Sequence, residues 1–561
     1  NLKIILIFSN LTLGRPIVSV RLLWHFIPLA FSDIDEITMK DIFKEYFEAQ
    51  FFDFPNPIRK LRDTVVEGAI MTFKAVKTSF RPLPITPHYN FNLRDLMKIF
   101  DGLAMLPGAI LANKQDTTDY VMSLLIHETS RVYHDRLCCD KDRNTFISDV
   151  LFKLQNFVYH GIVEADARNQ FNSIMFSEIN GDMLYERVED IEALRAMIYE
   201  NMEHYNSNKK AKEKIELILF DYSLKHLLRI DRILARDGEH CVLVGLTGSG
   251  RQSLCNVAAF IKKFKIFKTR TKEEVEEYGH KEWLKDIQEL YLQAGLRMEN
   301  TIFMLKDNNI TDEQMYVDLN CIISSGVVYN LFTSDEKNET IGNLKQTKEY
   351  DEMNLSDDQQ LWDAFIAKTM QKCRVFLAMN PLNQNFTKTL RAFPALTNTA
   401  IDWYEEWPED ALYYLAKREI SKDAKSADKA DDLAFIFSKV FTEINKMNET
   451  YFSQTRKKVI ILPKSFLDFL SFYKQMNLKH SKKIESDILK YKDGVKKIDE
   501  AGEQIKLMSE LLEKKKPILI EQGKVIEKTL VEISAQSKDA EEAKAQCQEN
   551  EKIALAKQHD A

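Results

Sequence analysis

The feature that most constrains this chain is a glycine-rich loop between an apolar run and a helical pattern. The apolar run is Cys241–Val244, and the sequence Gly-Leu-Thr-Gly-Ser-Gly follows it at 245–250. Apolar residues then recur at helical spacing from Leu254 to Phe264. In a strand–loop–helix unit of this kind, backbone N–H groups and a helix N-terminus can cradle phosphates. The loop therefore predicts a phosphate-binding site on an α/β fold.

The loop fits the P-loop pattern G-x-x-x-x-G-K-[ST] only in part. Arg251 stands where the pattern has lysine, and Gln252 stands where it has the hydroxyl that binds magnesium. Ser253 comes one residue late, which turns it about 100° around the helix. The candidate phosphate-binding residues are Gly245, Gly248, Ser249, Gly250, Arg251, Gln252 and Ser253. An ordinary glycine-rich strand–helix turn is the alternative.

Two further apolar runs predict buried strands whose ends carry polar residues. Thr301–Leu305 precedes Asp307, and Arg374–Met379 precedes Asn380. Separated by helical patterns, the runs indicate a parallel sheet. Asp307 could hold Mg²⁺ through water, and Asn380 could orient a γ-phosphate or simply form a turn before Pro381. Asn308 occupies the position of a glutamate that polarises the attacking water, and an amide cannot accept that proton. The site is thus predicted to hold nucleotide but hydrolyse it poorly.

The last hundred residues carry a heptad pattern. Taking Ile484 as position d, all eleven d positions are apolar or small, namely Ile484, Tyr491, Ile498, Ile505, Leu512, Leu519, Ile526, Ile533, Ala540, Cys547 and Ala554. This predicts a coiled-coil helix. The a positions are weaker, with Gly502, Ser509 and Lys516 among them. Either the seam shifts between registers or a partner strand compensates for it.

Composition excludes several other classes. The 561 residues are 45% apolar and 29% charged, so the chain can bury cores. A net charge of −7 argues against a nucleic-acid surface, and seven cysteines without C-x-x-C spacing argue against zinc and disulfides. The apolar run Ile4–Phe8 is expected to be a buried strand rather than a signal peptide or membrane span. Because the sequence begins with Asn1, a piece of a longer protein is expected.

Several segments resemble the dynein heavy chains, the axonemal type in particular. The loop Val244–Leu254 is similar to the degenerate loop of the fourth AAA+ module in that family. Arg391–Leu396 with Ile401–Pro408 resembles the same module's "FPxL…IDWxxxWP" block. Segments 88–95 and 127–137 resemble the end of the third module, and 463–467 resembles the start of the stalk. The resemblance covers nearly the whole chain in the family's order.

The resemblance implies an AAA+ P-loop module with a helical lid, followed by a long coiled-coil helix. Its expected parts are the end of the third module (1–140), the fourth module's nucleotide-binding part (150–410), its lid (411–470) and the outgoing stalk strand (471–561). It implies an ATP-driven microtubule motor of the cytoplasm and cytoskeleton, expected in ciliary or flagellar axonemes, that uses ATP/ADP and Mg²⁺. Expected partners are microtubules, other AAA+ modules of the heavy chain, and dynein intermediate and light chains, without nucleic acid or membrane.

The resemblance also implies roles for three arginines. Arg391 would be a finger that reaches the preceding module's site, Arg94 a lid contact for nucleotide in the third module, and Arg21 the third module's own finger. Ion pairing at a surface or interface is the alternative for each. Asn380 departs from the family, which has a serine there. A non-motor AAA+ scaffold or coiled-coil interaction protein remains the alternative function.

Overall fold

The computed structural model describes most of the chain, and it divides into two compact units, residues 1–470 and 471–561. The described residues are 4–6, 19–52, 54–107, 117–180, 183–207, 214–215, 217–270, 278–353, 357–383, 385–422, 429–457 and 459–559.

The first third of the chain is a helical bundle with one apolar core. Its helices are α1 (Val20–Leu23), α2 (Glu36–Gln50), α3 (Asn56–Lys60), α4 (Arg62–Ser79), α5 (Leu93–Ala104), α6 (Thr117–Tyr133), α7 (Asp140–Thr145), α8 (Phe152–Tyr159) and α9 (Glu164–Ser173). A π-helical turn, Phe146–Leu151, joins α7 to α8. Asn92 begins α5 as a capping box, since its side chain accepts from Asp95 N and the Asp95 carboxylate accepts from Asn92 N.

The expected buried strand at Ile4–Phe8 is wrong over residues 4–6. Ile5 is 86% exposed, and residues 4–6 have no regular structure; positions 7 and 8 lie outside the described residues. The cause is the lack of a pairing partner, since all five strands of the described main sheet come from residues 241–403. An apolar β-branched run forms a strand only where a neighbouring strand accepts its backbone hydrogen bonds.

A five-stranded parallel sheet forms the centre of the second half. Its strands are β3 (Cys241–Val244), β4 (Lys265–Phe267), β5 (Thr301–Lys306), β6 (Cys373–Met379) and β7 (Ala400–Trp403), in the order β4-β5-β6-β3-β7. A two-residue hairpin pair, β1 (Phe176–Ser177) and β2 (Glu186–Arg187), precedes it. Val242 and Val244 face one apolar core and Cys241 and Leu243 the other. Burial on both faces explains the unbroken apolar runs and confirms the predicted parallel sheet.

Helices cover both faces of this sheet and extend beyond it. They are α10 (Ile191–Ser207), α11 (Asp221–Ala235), α12 (Arg251–Ile261), α13 (His280–Tyr291), α14 (Glu313–Ser324), α15 (Ser334–Leu344), α16 (Lys348–Asp351), α17 (Asp358–Lys372), α18 (Phe386–Ala392) and α19 (Pro394–Asn398). Two helices in contact with each other, α20 (Glu409–Ser421) and α21 (Ala430–Thr455), then form a helical pair. Phe441 of α21 contacts Phe466 edge-on, with ring centroids 5.0 Å apart.

The last helix, α22 (Pro463–His559), is 97 residues long and runs through Pro517 without a break. The predicted long helix is therefore confirmed. In the second unit its heptad d residues from Ile484 to Cys547 are exposed, with Ile498 at 72% and Ile505 at 68%. An apolar stripe of this kind is typical of one strand of a coiled coil. In the described part of the chain, no helix combines the length and apolar character needed to cross a membrane.

Candidate functional site

The glycine loop joins β3 to α12 and depends on two left-handed residues. Gly248 has φ 88° and Gly250 has φ 89°, and Gly250 is the N-cap of α12. Side chains with a Cβ rarely adopt such angles, so both positions require glycine. A Cβ at Gly250 would meet no atom within 4 Å, so open space lies next to the loop there. The loop thus presents the N-terminus of α12 to an open site.

Gly245 is required for a different reason, which is close packing against Tyr404. A Cβ at Gly245 would lie 2.7 Å from the Tyr404 Cβ. Tyr404 cannot easily move, because its N–H donates to Val244 O at 2.7 Å and its ring stacks on His226 with centroids 4.0 Å apart. Tyr404, the residue after β7, therefore packs directly against the glycine loop and forms its floor.

Arg251 turns back toward the sheet in this structure. Its Nη1 donates to Met379 O at 2.7 Å and to Leu243 O at 3.2 Å, and its Nη2 donates to Leu246 O at 3.3 Å. Burial lowers the pKa of this guanidinium, while nearby Asp307 acts in the opposite direction. Arg251 therefore connects the ends of β3 and β6 to the loop.

The predicted acidic and amide residues meet at the carboxyl ends of β5 and β6. Asp307 accepts through Oδ2 from Asn380 N at 2.9 Å and through Oδ1 from Asn308 N at 3.0 Å. Asp307 and Asn380 are half-buried, whereas Asn308 is exposed. The structure thus brings Asp307, Asn380 and Arg251 together around the end of β6. No group of three or more His, Cys, Asp or Glu side chains is arranged for a metal ion among the residues described.

A mostly apolar cavity of about 200 Å³ opens beside the loop. Its walls come from the segment before α11, from the loop and α12, from the segment after β7, and from α20 and α22. They include Leu217, Phe220, Gly248, Ser249, Gly250, Ser253, Tyr404, Trp407, Leu415, Arg418 and Leu467. Phe220 and Trp407 meet edge-on with centroids 6.1 Å apart. Gln252 and Arg251 are not part of the lining.

Two buried hydroxyls in the cavity wall have no hydrogen-bond partner within the protein. They are Ser249 Oγ and Tyr404 Oη. Burial raises the pKa of the Tyr404 phenol well above its ordinary value, so it remains protonated. Buried polar atoms are nearly always hydrogen-bonded, so these two hydroxyls are unsatisfied groups next to the cavity. Sequence reasoning had found Ser249 but missed the apolar wall.

Behind Tyr404, a buried ionic cluster joins α11 to β7. Asp402 accepts from Arg229 Nη1 at 2.7 Å and bonds His226 Nδ1 at 2.7 Å. Burial would raise the pKa of Asp402, but His226 and Arg229 outweigh it and lower that pKa. Arg229 also pairs with Asp135, at the end of α6, with Nη2 and Oδ1 3.0 Å apart. The ionised aspartates thus connect the helical bundle to the floor of the loop.

The three predicted arginines lie outside the cavity. Arg391 is exposed and donates to Pro84 O at 3.0 Å. Arg94 is exposed at the start of α5, where the neighbouring Asn92 donates to Asn398 at 3.1 Å. Segments 84–94 and 391–398 are therefore in contact. Arg21 is exposed on α1, and no hydrogen bond or ion pair joins it to another described candidate residue.

Comparison with known proteins matches both halves of the first unit. A family model described as "P-loop containing dynein motor region D4" matches residues 215–476, and an "AAA+ lid domain" model matches 65–165. Human dynein axonemal heavy chain 2 is 30% identical over 553 residues, which cover 97% of this chain and 12% of the relative.

Two further relatives match the chain to a similar extent. Human dynein axonemal heavy chain 6 is 28% identical over 97% of this chain and 13% of its own length. The dynein-1-beta heavy chain of the flagellar inner arm I1 complex of Chlamydomonas reinhardtii is 28% identical over 90% of this chain and 11% of its own length. The chain thus spans about an eighth of the relatives it matches.

Proposed function

The chain belongs to the dynein heavy chain family, and from that premise we propose that its fourth-module site binds ATP or ADP in a regulatory role with little hydrolysis. The proposal rests on the residues that follow β5. A phosphate loop and Asp307 are retained, but the residue after Asp307 is the exposed amide Asn308. Binding needs the loop, whereas hydrolysis also needs a group that polarises water.

The residues around the loop fit a nucleotide. The open space at Gly250 and the N-terminus of α12 suit phosphate oxygens, which backbone N–H groups and the helix dipole bind. The unpartnered hydroxyl of Ser249 adds a donor. The apolar cavity that Phe220 and Trp407 help to line suits the base, since aromatic rings contact heterocycles favourably.

Mg²⁺ would be held through water by Asp307, because Gln252 replaces the usual hydroxyl. The ion would neutralise charge on the phosphates. Asp307 keeps free lone pairs on both oxygens after accepting one backbone N–H on each. Asn380, whose N–H holds Asp307 in place, lies next to it at the γ-phosphate end of the site.

At the level of the whole motor, we assign this chain to an ATP-driven microtubule motor of the axoneme, working with other AAA+ modules, intermediate chains and light chains. In this assignment, residues 1–140 end the third module, 150–410 and 411–470 form the fourth module and its lid, and 471–561 form the stalk strand that leads to a microtubule-binding tip. Arg391 and Arg94 would then serve the preceding module's site. The contact between segments 84–94 and 391–398 supports that role.

Nucleotide titration and turnover of the purified chain test the site. Calorimetry should show ADP and ATP binding, and the unaltered chain should release almost no phosphate from ATP. Gly250→Val places a branched side chain on a left-handed residue of the loop and in the open space beside it, and should abolish binding. The matched control is Gly342→Val, which adds the same side chain at another glycine with nothing within 4 Å and should bind normally.

Two results would overturn the proposal. One is the absence of nucleotide binding by the unaltered, folded chain. The other is steady ATP turnover that disappears in Asp307→Asn, because that result would show a competent hydrolytic site despite Asn308.

A further inference from the structure

A second cavity, of about 210 Å³, lies between α6, α9 and α11, away from the nucleotide cavity and sharing no lining residue with it. The lining residues on which the argument rests are Arg131, Asn172, Lys225 and Arg229. Three of them are cationic, and none is a carboxylate. A wall of this composition disfavours a cation or a purely apolar ligand.

The cations of this wall outnumber the carboxylates that pair with them. Arg131 and Arg229 share Asp135, at 3.3 Å and 3.0 Å, and Arg229 also pairs with Asp402. Burial lowers the pKa of Lys225, and the like charges of Arg131 and Arg229 lower it further, against the opposite effect of Asp221 and Asp135. The three cations of the wall are thus paired directly with only two carboxylates. A bound anion would balance the remaining positive charge.

The arginines that line the cavity also carry buried donors that the protein leaves unused. The Nε atoms of Arg131 and Arg229 are buried and have no hydrogen-bond partner within the protein. A buried donor without a partner destabilises the folded chain. Asn172 adds an amide to the same wall. Arg131 on α6 and Arg229 on α11 therefore supply positive charge from two helices, and Lys225 adds a third cation one turn before Arg229.

We propose that this cavity binds a small oxyanion of the phosphate type. A guanidinium presents donors in a planar fork that matches phosphate oxygens, and an ammonium adds a point charge. A cavity of about 210 Å³ has room for such an ion with bound water. The ion would join α6 and α9 to α11, the helix that carries His226 and Arg229 and so reaches the nucleotide loop. The proposal is independent of nucleotide binding at the loop.

Titration of the full chain with inorganic phosphate, in chloride buffer without other oxyanions, tests this site. The background variant is Gly250→Val, which removes phosphate binding at the nucleotide loop. We expect one phosphate site to remain in that background. Lys225→Gln should weaken it at least about tenfold, since a charge-assisted hydrogen bond contributes roughly 1.5–3 kcal/mol. Lys153→Gln, the same change at an exposed lysine of α8, should leave it unchanged.

The outcomes separate the two proposals. Loss of all phosphate binding in Gly250→Val would overturn the second site and leave the nucleotide loop as the binder. Equal affinity in Lys225→Gln and the background chain would overturn it too. If Lys225→Gln misfolds, anomalous scattering from tungstate in crystals of the unaltered chain decides the question. Tungsten in this cavity is the expected result, and its absence there refutes the proposal.

Discussion

Gly245→Ala should damage the nucleotide site by forcing Tyr404 out of place. The added methyl would lie 2.7 Å from the Tyr404 Cβ, where two carbons normally approach to about 3.5–4.0 Å. Tyr404 is held by the backbone hydrogen bond to Val244 and by the stack on His226. Because Tyr404 cannot move without weakening these two contacts, we expect the substitution to destabilise the site by about 1–3 kcal/mol, the usual range for overpacking.

Hydrogen exchange of the β3 amides (241–244) measures this cost, because their protection reports the free energy of local opening. A loss of about 1–3 kcal/mol raises exchange roughly 5–150-fold. Calorimetry should show weaker ADP binding, since Tyr404 lines the cavity. The matched control, Gly342→Ala, adds the same methyl in open space within α15 and should be neutral or stabilising by about 0.5–1 kcal/mol. Protection and ADP affinity in Gly245→Ala equal to the unaltered chain would refute the reasoning.

Two further changes probe the buried ionisable groups. Glu128→Gln should lower the free energy of unfolding by about 3–5 kcal/mol, because it leaves the buried Arg232, 2.6 Å away, without its carboxylate. Urea unfolding measures this difference. As a control, Glu36→Gln at an exposed position should change the free energy of unfolding little. His88 is buried against Trp403, and burial followed by the charge of Arg136 lowers its pKa to about 3. Between about pH 6.5 and 3 only the unfolded chain binds this proton. The free energy of unfolding therefore decreases as the pH is lowered through this range, by up to about 1.4 kcal/mol per pH unit. His88→Phe should reduce that slope by one proton, and an unchanged slope would contradict the assignment.

In the main sheet, the sequence predicted the three strands that are mostly apolar and buried on both faces, and missed the other two. Lys265–Phe267 is only three residues long and begins with an exposed lysine. Ala400–Trp403 contains Asp402, and a carboxylate inside a short run argues against a buried strand. The structure buries Asp402 because His226 and Arg229, some 170 positions earlier, neutralise it. Partners that distant cannot be deduced from local periodicity.

The residues of the candidate site were likewise only partly predictable from the sequence. The loop glycines, Asp307 and Asn380 each follow a predicted parallel strand, and the carboxyl ends of parallel strands lie at one edge of the sheet, so the sequence could place these residues at one site. The apolar wall was missed, because Phe220, Trp407 and Leu467 come from segments that only tertiary packing brings together. The orientation of Arg251 was also beyond the sequence. A lysine pattern suggests a phosphate contact, whereas the planar guanidinium can bind several carbonyls at once.

The position of Tyr404 connects these observations. Asp135, from the bundle that precedes the P-loop module, holds Arg229, and Arg229 shares Asp402 with His226, whose ring stacks on Tyr404. Tyr404 in turn contacts Gly245 and lines the nucleotide cavity. Each link is a buried ion pair, a ring stack or a contact with little free space, so a shift at one end must be accommodated at the next. A displacement of the bundle would therefore change the shape of the nucleotide cavity through Tyr404, without any contact between the bundle and the ligand.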